Sequence, residues 1–516
     1  MSPITPAPGV SRWTAAWLVA VVVVMICSGT SVKGATTIRV NAGGDLQAAL
    51  NAAQPGDEIV LQAGAKFTGA FILPRKPEGP VITIRSSATL PSRRVTPDDA
   101  ALMPIIGSGS AAPAIEGPCA RNWRFDGLRF ESTASGLYNI IYTHNLKNPD
   151  GTFCNTNNVS FDRILIVAGV DGQRRGIAGN GGNTSLTRSH IANIRERGGE
   201  TAAFGAWDGP GPFTLRDNYL EAAGMSVLFG GADSSSPNHV PSDIVVENNH
   251  MTKRLEWKGQ YTVKNVFELK SAKRVTIRNN LFERSWTDAQ TGYAILFTVH
   301  NDGGGSPWAC IEDVVFENNI VREAERGINI LGNGYVYPSG RGTRITIRNN
   351  LVITASNGFM VGGEVGELTI DHNTFVNAGG LGVLYRGRLW RNGEPAVRDA
   401  LFAIEKLTMT NNLAYHNESG LFGDEVGSGT PALTAHVKAW LWTNNVLAAR
   451  TTPYSYPSIT WFPTKAEHDA QFNANYTLVA NSTYRGAGTD KKDLGWNGGT
   501  TALVLPPASP RNVRIN

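Results

Sequence analysis

Glutamate and lysine stand two apart in Val266-Phe267-Glu268-Leu269-Lys270-Ser271. On a β-strand that spacing puts the acid and the amine on one face and Phe267 and Leu269 on the other. Other groups able to do chemistry crowd into the same stretch of chain. Trp207-Asp208 opens a stiff Gly-Pro-Gly-Pro turn, and Gly230-Gly231-Ala232-Asp233 follows an apolar run. Lys253, Arg254, Glu256, Trp257 and Lys258 precede the Glu268 segment, while Trp286, Asp288, Gln290, Tyr293, His300, Asn301 and Trp308 follow it. Indoles beside acids and amines suit a saccharide groove, in which aromatic faces stack on sugar rings and cations meet uronate carboxylates. Trp207, Trp257, Trp286 and Tyr293 are the expected platforms, with Lys258 and Asp288 as polar contacts. The blander readings are charge compensation for Glu268 and Lys270 and loop anchoring for the aromatics.

These residues lie about thirty positions apart, so a repeating element has to bring them together. The chain carries one. Short β-branched or apolar runs are broken by a polar pair, as in Leu215-Arg216-Asp217-Asn218-Tyr219-Leu220, Val246-Glu247-Asn248-Asn249-His250-Met251 and Ile277-Arg278-Asn279-Asn280-Leu281-Phe282. The pair returns at Asn318-Asn319, Asn349-Asn350, His372-Asn373, Asn411-Asn412 and Asn444-Asn445, with its second members 31, 31, 39, 31, 23, 39 and 33 apart. Units of this size, none able to bury an apolar face alone, define a solenoid. The shortest fits three short strands and three turns, and the surplus in the others must leave the turns as loops. A stacked asparagine can hand amide hydrogen bonds along the axis at the strand spacing. Phe125–Phe130, Val159–Ile166 and Leu186–Ile191 have the same rhythm without the pair. The expected fold is therefore all-β, a right-handed parallel β-helix.

At the front, Asp45 caps a predicted helix whose Leu46, Ala49, Leu50 and Ala53 share a face, and Pro55-Gly56-Asp57 stops it. An open stack needs such a cover. Glu58–Leu61, Phe71–Leu73 and Val81–Ile84 read as first strands, and 86–118 as a long surface excursion. Residues 1–34, with Arg12, the apolar run Ala15–Ile26 and small residues ahead of Ala35, read as a signal peptide. Ile26 before Cys27 argues against lipidation. The helix domain is placed at 35–455 and a last coil with a C-terminal cap at 456–516.

Formal charge is +4, and removal of Arg12 and Lys33 leaves +2. Charges of both signs are interspersed, with no basic block of the nucleic-acid type. A secreted or periplasmic monomer that binds a polysaccharide or oligosaccharide, without stable membrane insertion after processing, is expected. Cys119, Cys154 and Cys310 permit one disulfide, Cys119 with Cys154 being a candidate. Walker, EF-hand, zinc-spaced and nucleophile-elbow patterns are absent.

The opening Gly44-Asp45-Leu46-Gln47-Ala48-Ala49-Leu50 with Pro55-Gly56-Asp57-Glu58-Ile59, followed by the Asn-Asn turns, resembles the pectin-lyase-like β-helix proteins over about residues 37–450. Within them, Glu268-Leu269-Lys270-Ser271 followed by Arg278-Asn279-Asn280-Leu281-Phe282 looks like the lysine-bearing coil of the chondroitinase B and alginate lyase family. That resemblance implies β-elimination with Lys270 as general base. It also implies a histidine on the next coil, matched by His300 in Phe297-Thr298-Val299-His300-Asn301. The family's neighbouring arginine has no counterpart there, and its calcium-binding acids correspond to Tyr261-Thr262-Val263-Lys264-Asn265. Asp208, Asp233 and Asp288 are the alternative calcium ligands. Two other classes share such a groove: a hydrolase pairing Asp208 or Asp233 with Glu268, and a noncatalytic glycan-binding or adhesive solenoid.

Overall fold

The structure is a computed structural model that describes residues 34–334, 336–386 and 402–498, with the backbone of 390–391 and 394–395. The expected signal peptide, apart from Gly34, and the last residues of the expected C-terminal cap lie outside the described residues. From Ala35 onward the chain forms one compact unit.

Three long sheets run side by side along the molecule. The first has 14 strands from Thr37–Val40 to Val437–Thr443, the second 14 from Lys66–Thr68 to Thr460–Trp461, and the third 13 from Phe71–Ile72 to Gly427–Ser428. The chain visits first, second and third sheet in turn, and apart from the antiparallel pair Leu421–Gly423 and Gly427–Ser428 that ends the third, each strand pairs in parallel with its counterpart one coil away, as in Val246↔Ile277↔Phe316. This is a parallel β-helix, right-handed as parallel crossovers require.

The polar pairs form the bend between first and second sheets. The first member takes the left-handed conformation, with φ of 54° at Asp217, 58° at Asn248, 56° at Asn279 and 52° at His372. Asparagine and aspartate reach that region at lower cost than most residues. The same bend without asparagine uses Gly127, Arg163 and Arg188, with φ of 69°, 52° and 49°, so the three looser segments are coils of the same solenoid.

The second member points inward. From Asn218 to Asn445 each side-chain amide donates to the next Oδ1, for example Asn249 to Asn280 and Asn280 to Asn319, both at 3.0 Å. Each also donates to a carbonyl of the preceding coil, as Asn280 Nδ2 does to Val246 O at 2.9 Å. Ser189 starts the row: its amide nitrogen donates to Asn218 Oδ1 and its hydroxyl accepts from the Ile164 nitrogen. In a bend shut off from water these bonds satisfy donors that would otherwise cost about 1–3 kcal/mol each.

Inward residues of all three sheets merge into one core. Phe125 stacks on Phe161 at 5.1 Å between centroids, and Phe267, Phe282, Phe297 and Phe316 pack on one another farther along. Burial of such a side chain contributes roughly 1.5–3 kcal/mol. Helix Leu46–Ala52 begins at Asp45, whose carboxylate accepts from the Ala48 nitrogen at 2.9 Å, and it places Leu46, Ala49 and Leu50 in this core.

The segment read as one excursion is shorter than expected. Ile105–Ser108 and Ile115–Pro118 are strands of the second and third sheets, paired with Lys66–Thr68 and Phe71–Ile72. Four-residue strands among Gly, Ser and Pro carry too few alternations to register as a period. The remaining loop packs Val95 and Met103 on Leu165. Cys119 and Cys154 are joined, with Cα atoms 5.5 Å apart, and Cys310 is free and buried.

The C-terminal segment doubles back outside the coils. A short helix, Lys465–Asp469, is boxed by Thr464 and Glu467. Leu478, Tyr484 and Leu494 pack on Leu413 and Val446, and Trp496 reaches Leu281, Ile320 and Leu351.

Candidate active site

The outer face of the third sheet carries the candidate residues. Its strands Ala202–Ala206, Met225–Phe229, Phe267–Leu269 and Tyr293–Thr298 align so that Gly205, Leu228, Glu268 and Leu296 form one outward row. Phe229, Leu269 and Phe297, one residue on, are fully buried in the core. Alternation thus points Glu268 and Lys270 outward, as the i,i+2 spacing requires. Loops from flanking turns close over this face, and Glu268 is 0% exposed.

Lys270 sits at a strand end between two neighbours. Its nitrogen donates to Phe229 O at 2.8 Å, and its carbonyl accepts from the His300 nitrogen at 3.0 Å. Gly230, at φ 85°, permits the approach, because a Cβ there would stand 2.5 Å from the Ser271 nitrogen and 2.9 Å from Lys270 Cβ. Lys270 Nζ lies 2.8 Å from Glu268 Oε1 and donates to Thr298 Oγ1 at 2.9 Å. Asn265 Nδ2 donates to Glu268 Oε2 at 3.1 Å.

Electrostatics divides the cluster into a fixed anion and a neutral ring. Burial pushes the Glu268 carboxyl up, but the Lys270 and Lys264 charges and the bonds from Lys270 and Asn265 outweigh it, leaving the group below its ordinary value and ionised. Burial, then the Lys270 charge, hold the His300 imidazole below its ordinary 6.5, against the opposing pull of Asp302, whose Oδ1 is 3.3 Å from Nε2. Behind them Lys253 is fully buried and donates to Ala222 O at 3.1 Å and Gly224 O at 2.7 Å. Burial drives its ammonium well below the ordinary value.

The acids expected to share this chemistry serve the loops. Asp208 accepts from the Ser235 nitrogen at 2.8 Å and hydroxyl at 2.6 Å, and its Oδ1 is 3.3 Å from His239 Nδ1. Burial raises its carboxyl, yet His239 and Ser235 bring it below its ordinary value. Asp233 accepts from the nitrogens of Gly303 and Gly305. Asp288 accepts from the Val263 nitrogen at 2.7 Å, ahead of the strands whose far ends carry Asp208, Asp233 and Lys270. Among the described residues no three acids, histidines or cysteines form a metal-binding group. The Asp208, Asp233 and Asp288 calcium set is therefore not assembled, since each carboxylate is committed to a different loop.

The aromatics separate likewise. Trp257 and Trp286 are 3% and 5% exposed and pack with Ala223, Tyr261 and Val263 inside a loop cluster. Tyr293, 4% exposed, lies under Arg326. Their ring faces are not open to a sugar; Trp257 and Trp286 form a small core for their loops and Tyr293 begins a strand, which proximity to charges in sequence could not distinguish. Lys258 is exposed on the loop above. Trp207 alone of the expected platforms is half-buried, just past strand Ala202–Ala206 of the third sheet. It meets Tyr142 at 6.5 Å and 22°, while Tyr142 stacks on His144 at 4.3 Å. Arg175 lies over the Trp207 ring at 5.0 Å. Tyr142, His144, Arg175, Thr298 and Asn265 were not singled out from sequence. Tyr138, Tyr142 and His144, alternating in Leu137–His144, were the available signal for the first two.

No protein-family model matches the chain, and no curated protein does. Among solved structures it is similar to the PL6 family alginate lyase AlyGC, with TM-score 0.53 and 15% identity over 92% of this chain and 58% of that one. It is also similar to a mannuronic acid specific polysaccharide family 6 lyase from human gut microbiota, with TM-score 0.48 and 14% identity over 83% and 91%. Against pectate lyase Pel9A the TM-score is 0.38, with 13% identity over 90% and 96%. The chain spans under two thirds of AlyGC, and the likeness is one of fold, a parallel β-helix. Among the described residues no helix is long and apolar enough to cross a membrane.

Proposed function

We propose that this protein is a secreted polysaccharide lyase that cleaves a uronate-containing glycan by β-elimination at the Glu268, Lys270, Thr298 and His300 cluster. The observation that carries the reading is a fully buried, ionised Glu268 holding the Lys270 ammonium at 2.8 Å, one coil from an imidazole that is neutral at neutral pH.

Elimination needs a base for the acidic C5 proton, positive charge where the carboxylate takes up electrons, and a donor for the leaving oxygen. His300, unprotonated, accepts the proton. The C5 electron pair becomes the C4–C5 double bond as the C4–oxygen bond breaks. Lys270, engaged as an ammonium with Glu268, stabilises the developing charge and protonates the leaving oxygen. A hydrolase of the paired-carboxylate type needs one protonated acid, and Glu268 is ionised while Asp208 and Asp233 bind loop donors. A noncatalytic glycan binder would need none of this arrangement. The fold neighbours named as alginate and pectate lyases support the substrate class by analogy alone.

The test is incubation with a panel of uronate polymers. Appearance of the ultraviolet-absorbing unsaturated product supports elimination, whereas new reducing ends without it indicate hydrolysis. The rate should rise with pH through an imidazole value below 6.5 and be lost in His300→Gln and Lys270→Ala. Full turnover in Lys270→Ala ends the proposal.

A further inference from the structure

Upstream of the reaction cluster, the outer face of the third sheet carries small residues at two successive positions, Ala178 and Gly205. The outward row reads Tyr142, Ala178, Gly205, Leu228, Glu268 along successive coils. The Arg175 side chain passes beside Gly205. A Cβ built on Gly205 would lie 3.8 Å from Arg175 Cδ, and the guanidinium ends over the Trp207 ring.

The cations around it are all neutralised. Arg174 pairs with Glu196, Arg195 and Arg197 with Asp171, and Lys264 with Glu200. Arg175 differs. Among the described residues its contacts are Asn139 Oδ1 at a long 3.5 Å and the Trp207 indole. Burial and then the Arg174 charge act against the charge on its guanidinium, and Glu200, already paired with Lys264, acts for it. A half-buried cation with no carboxylate in direct contact among the described residues is costly to keep, and an arginine fork suits a carboxylate.

We propose that Arg175 is a specificity-determining residue that binds the carboxylate of a uronate unit away from the reacting one, with that unit's ring lying against the Trp207 and Tyr142 aromatic array. The inference rests on the polyuronate reading of the site and deepens it. The guanidinium lies over strand Ala202–Ala206 and Lys270 follows strand Phe267–Leu269, two strands farther on, so the two cations are separated by about 10 Å along the axis at a strand spacing near 4.8 Å. An extended pyranose chain laid along the trough advances by about one strand spacing per ring. The second anion therefore belongs to a unit about two rings from the reacting one. The trough then selects glycans with closely spaced carboxylates over neutral ones, and oligomers over short fragments.

The test measures binding of hexamers of galacturonate, mannuronate, guluronate and glucuronate, each intact and carboxyl-reduced, to the full chain by calorimetry and tryptophan fluorescence. Lys270→Ala serves as the non-cleaving background. One charge-assisted contact corresponds to about 10- to 100-fold in affinity. Arg175→Ala in that background should lose about that factor for one intact hexamer and bind it no better than its reduced form, and Arg175→Lys should recover part of the loss. Dimers should be nearly insensitive to the substitution. Binding to Arg175→Ala equal to that of the unsubstituted background overturns the inference, as does failure of the unsubstituted chain to bind any of the hexamers. Arg175-dependent binding without unsaturated product leaves the inference standing and removes elimination. Product formation with unchanged KM in Arg175→Ala does the reverse.

Discussion

Removal of one asparagine from the buried ladder tests the physical basis of the fold. In Asn280→Ala the Asn249 backbone nitrogen and Asn249 Nδ2 both lose Asn280 Oδ1, their acceptor at 3.0 Å. Val246 O and Asn319 Oδ1 each lose a donor as well. All these groups lie where water does not reach, since Asn249, Asn280 and Asn319 are 0% exposed. Counting only the two orphaned donors, at roughly 1–3 kcal/mol each, the cost is about 2–6 kcal/mol. Asn248→Ala is the control: Asn248 is exposed and holds φ at 58°, so its loss costs roughly 1–2 kcal/mol of left-handed strain. Asn248→Gly should restore nearly all of it. Urea titration by circular dichroism gives the ranking. Because stability in a solenoid is local, amide exchange should lose protection on the Asn249 and Asn280 coils while coils near Ile59 keep theirs. If Asn280→Ala costs no more than Asn248→Ala, the ladder contributes shape without energy and the argument fails.

Two further outcomes are expected. Glu268→Gln should abolish turnover and destabilise the fold by about 3 kcal/mol, since it leaves Lys270 without its buried partner; Glu268→Leu with Lys270→Met should regain stability but no activity. An active Glu268→Gln enzyme would refute the assigned roles. Burial lowers His190 and His468 to about 4 from 6.5, so the folded state binds fewer protons than the unfolded one between those values. Stability is full above about 6.5 and falls as pH drops toward 4, by up to ~1.4 kcal/mol per pH unit for each ring. A His468→Gln variant should show a shallower acid loss in pH-dependent urea titrations, and an unchanged slope would show that this ring does not titrate as described.

The solenoid was legible because its bend demands two special residues at once, one tolerant of positive φ and one able to hydrogen bond to its own copies, and Asn-Asn writes both into the chain. Where other residues meet those demands, as at Arg163 and Ser189, the signal weakens although the geometry persists. The orientation of Glu268 and Lys270 followed from alternation alone. Their burial did not, because it is set by loops from other coils. For the same reason Trp257 and Trp286 could pass for platforms while serving as loop cores, and Arg175 went unnoticed, since its significance lies in what its neighbours are paired with. Three aspartates suited to calcium by type each accept from donors on a loop.

The returning C-terminal segment has a mechanical consequence. A stack of coils is weakest at its last turn, where nothing lies beyond to pair with, and thermal fluctuation or a protease would unwind it from there. Here Trp496 is lodged against Leu281, Ile320 and Leu351, and Asn497 bonds Asn349, well inside the stack. Tension on the chain's end therefore meets this strap before the terminal coil, and the strap must peel away, in shear along several coils, before any of them can unravel.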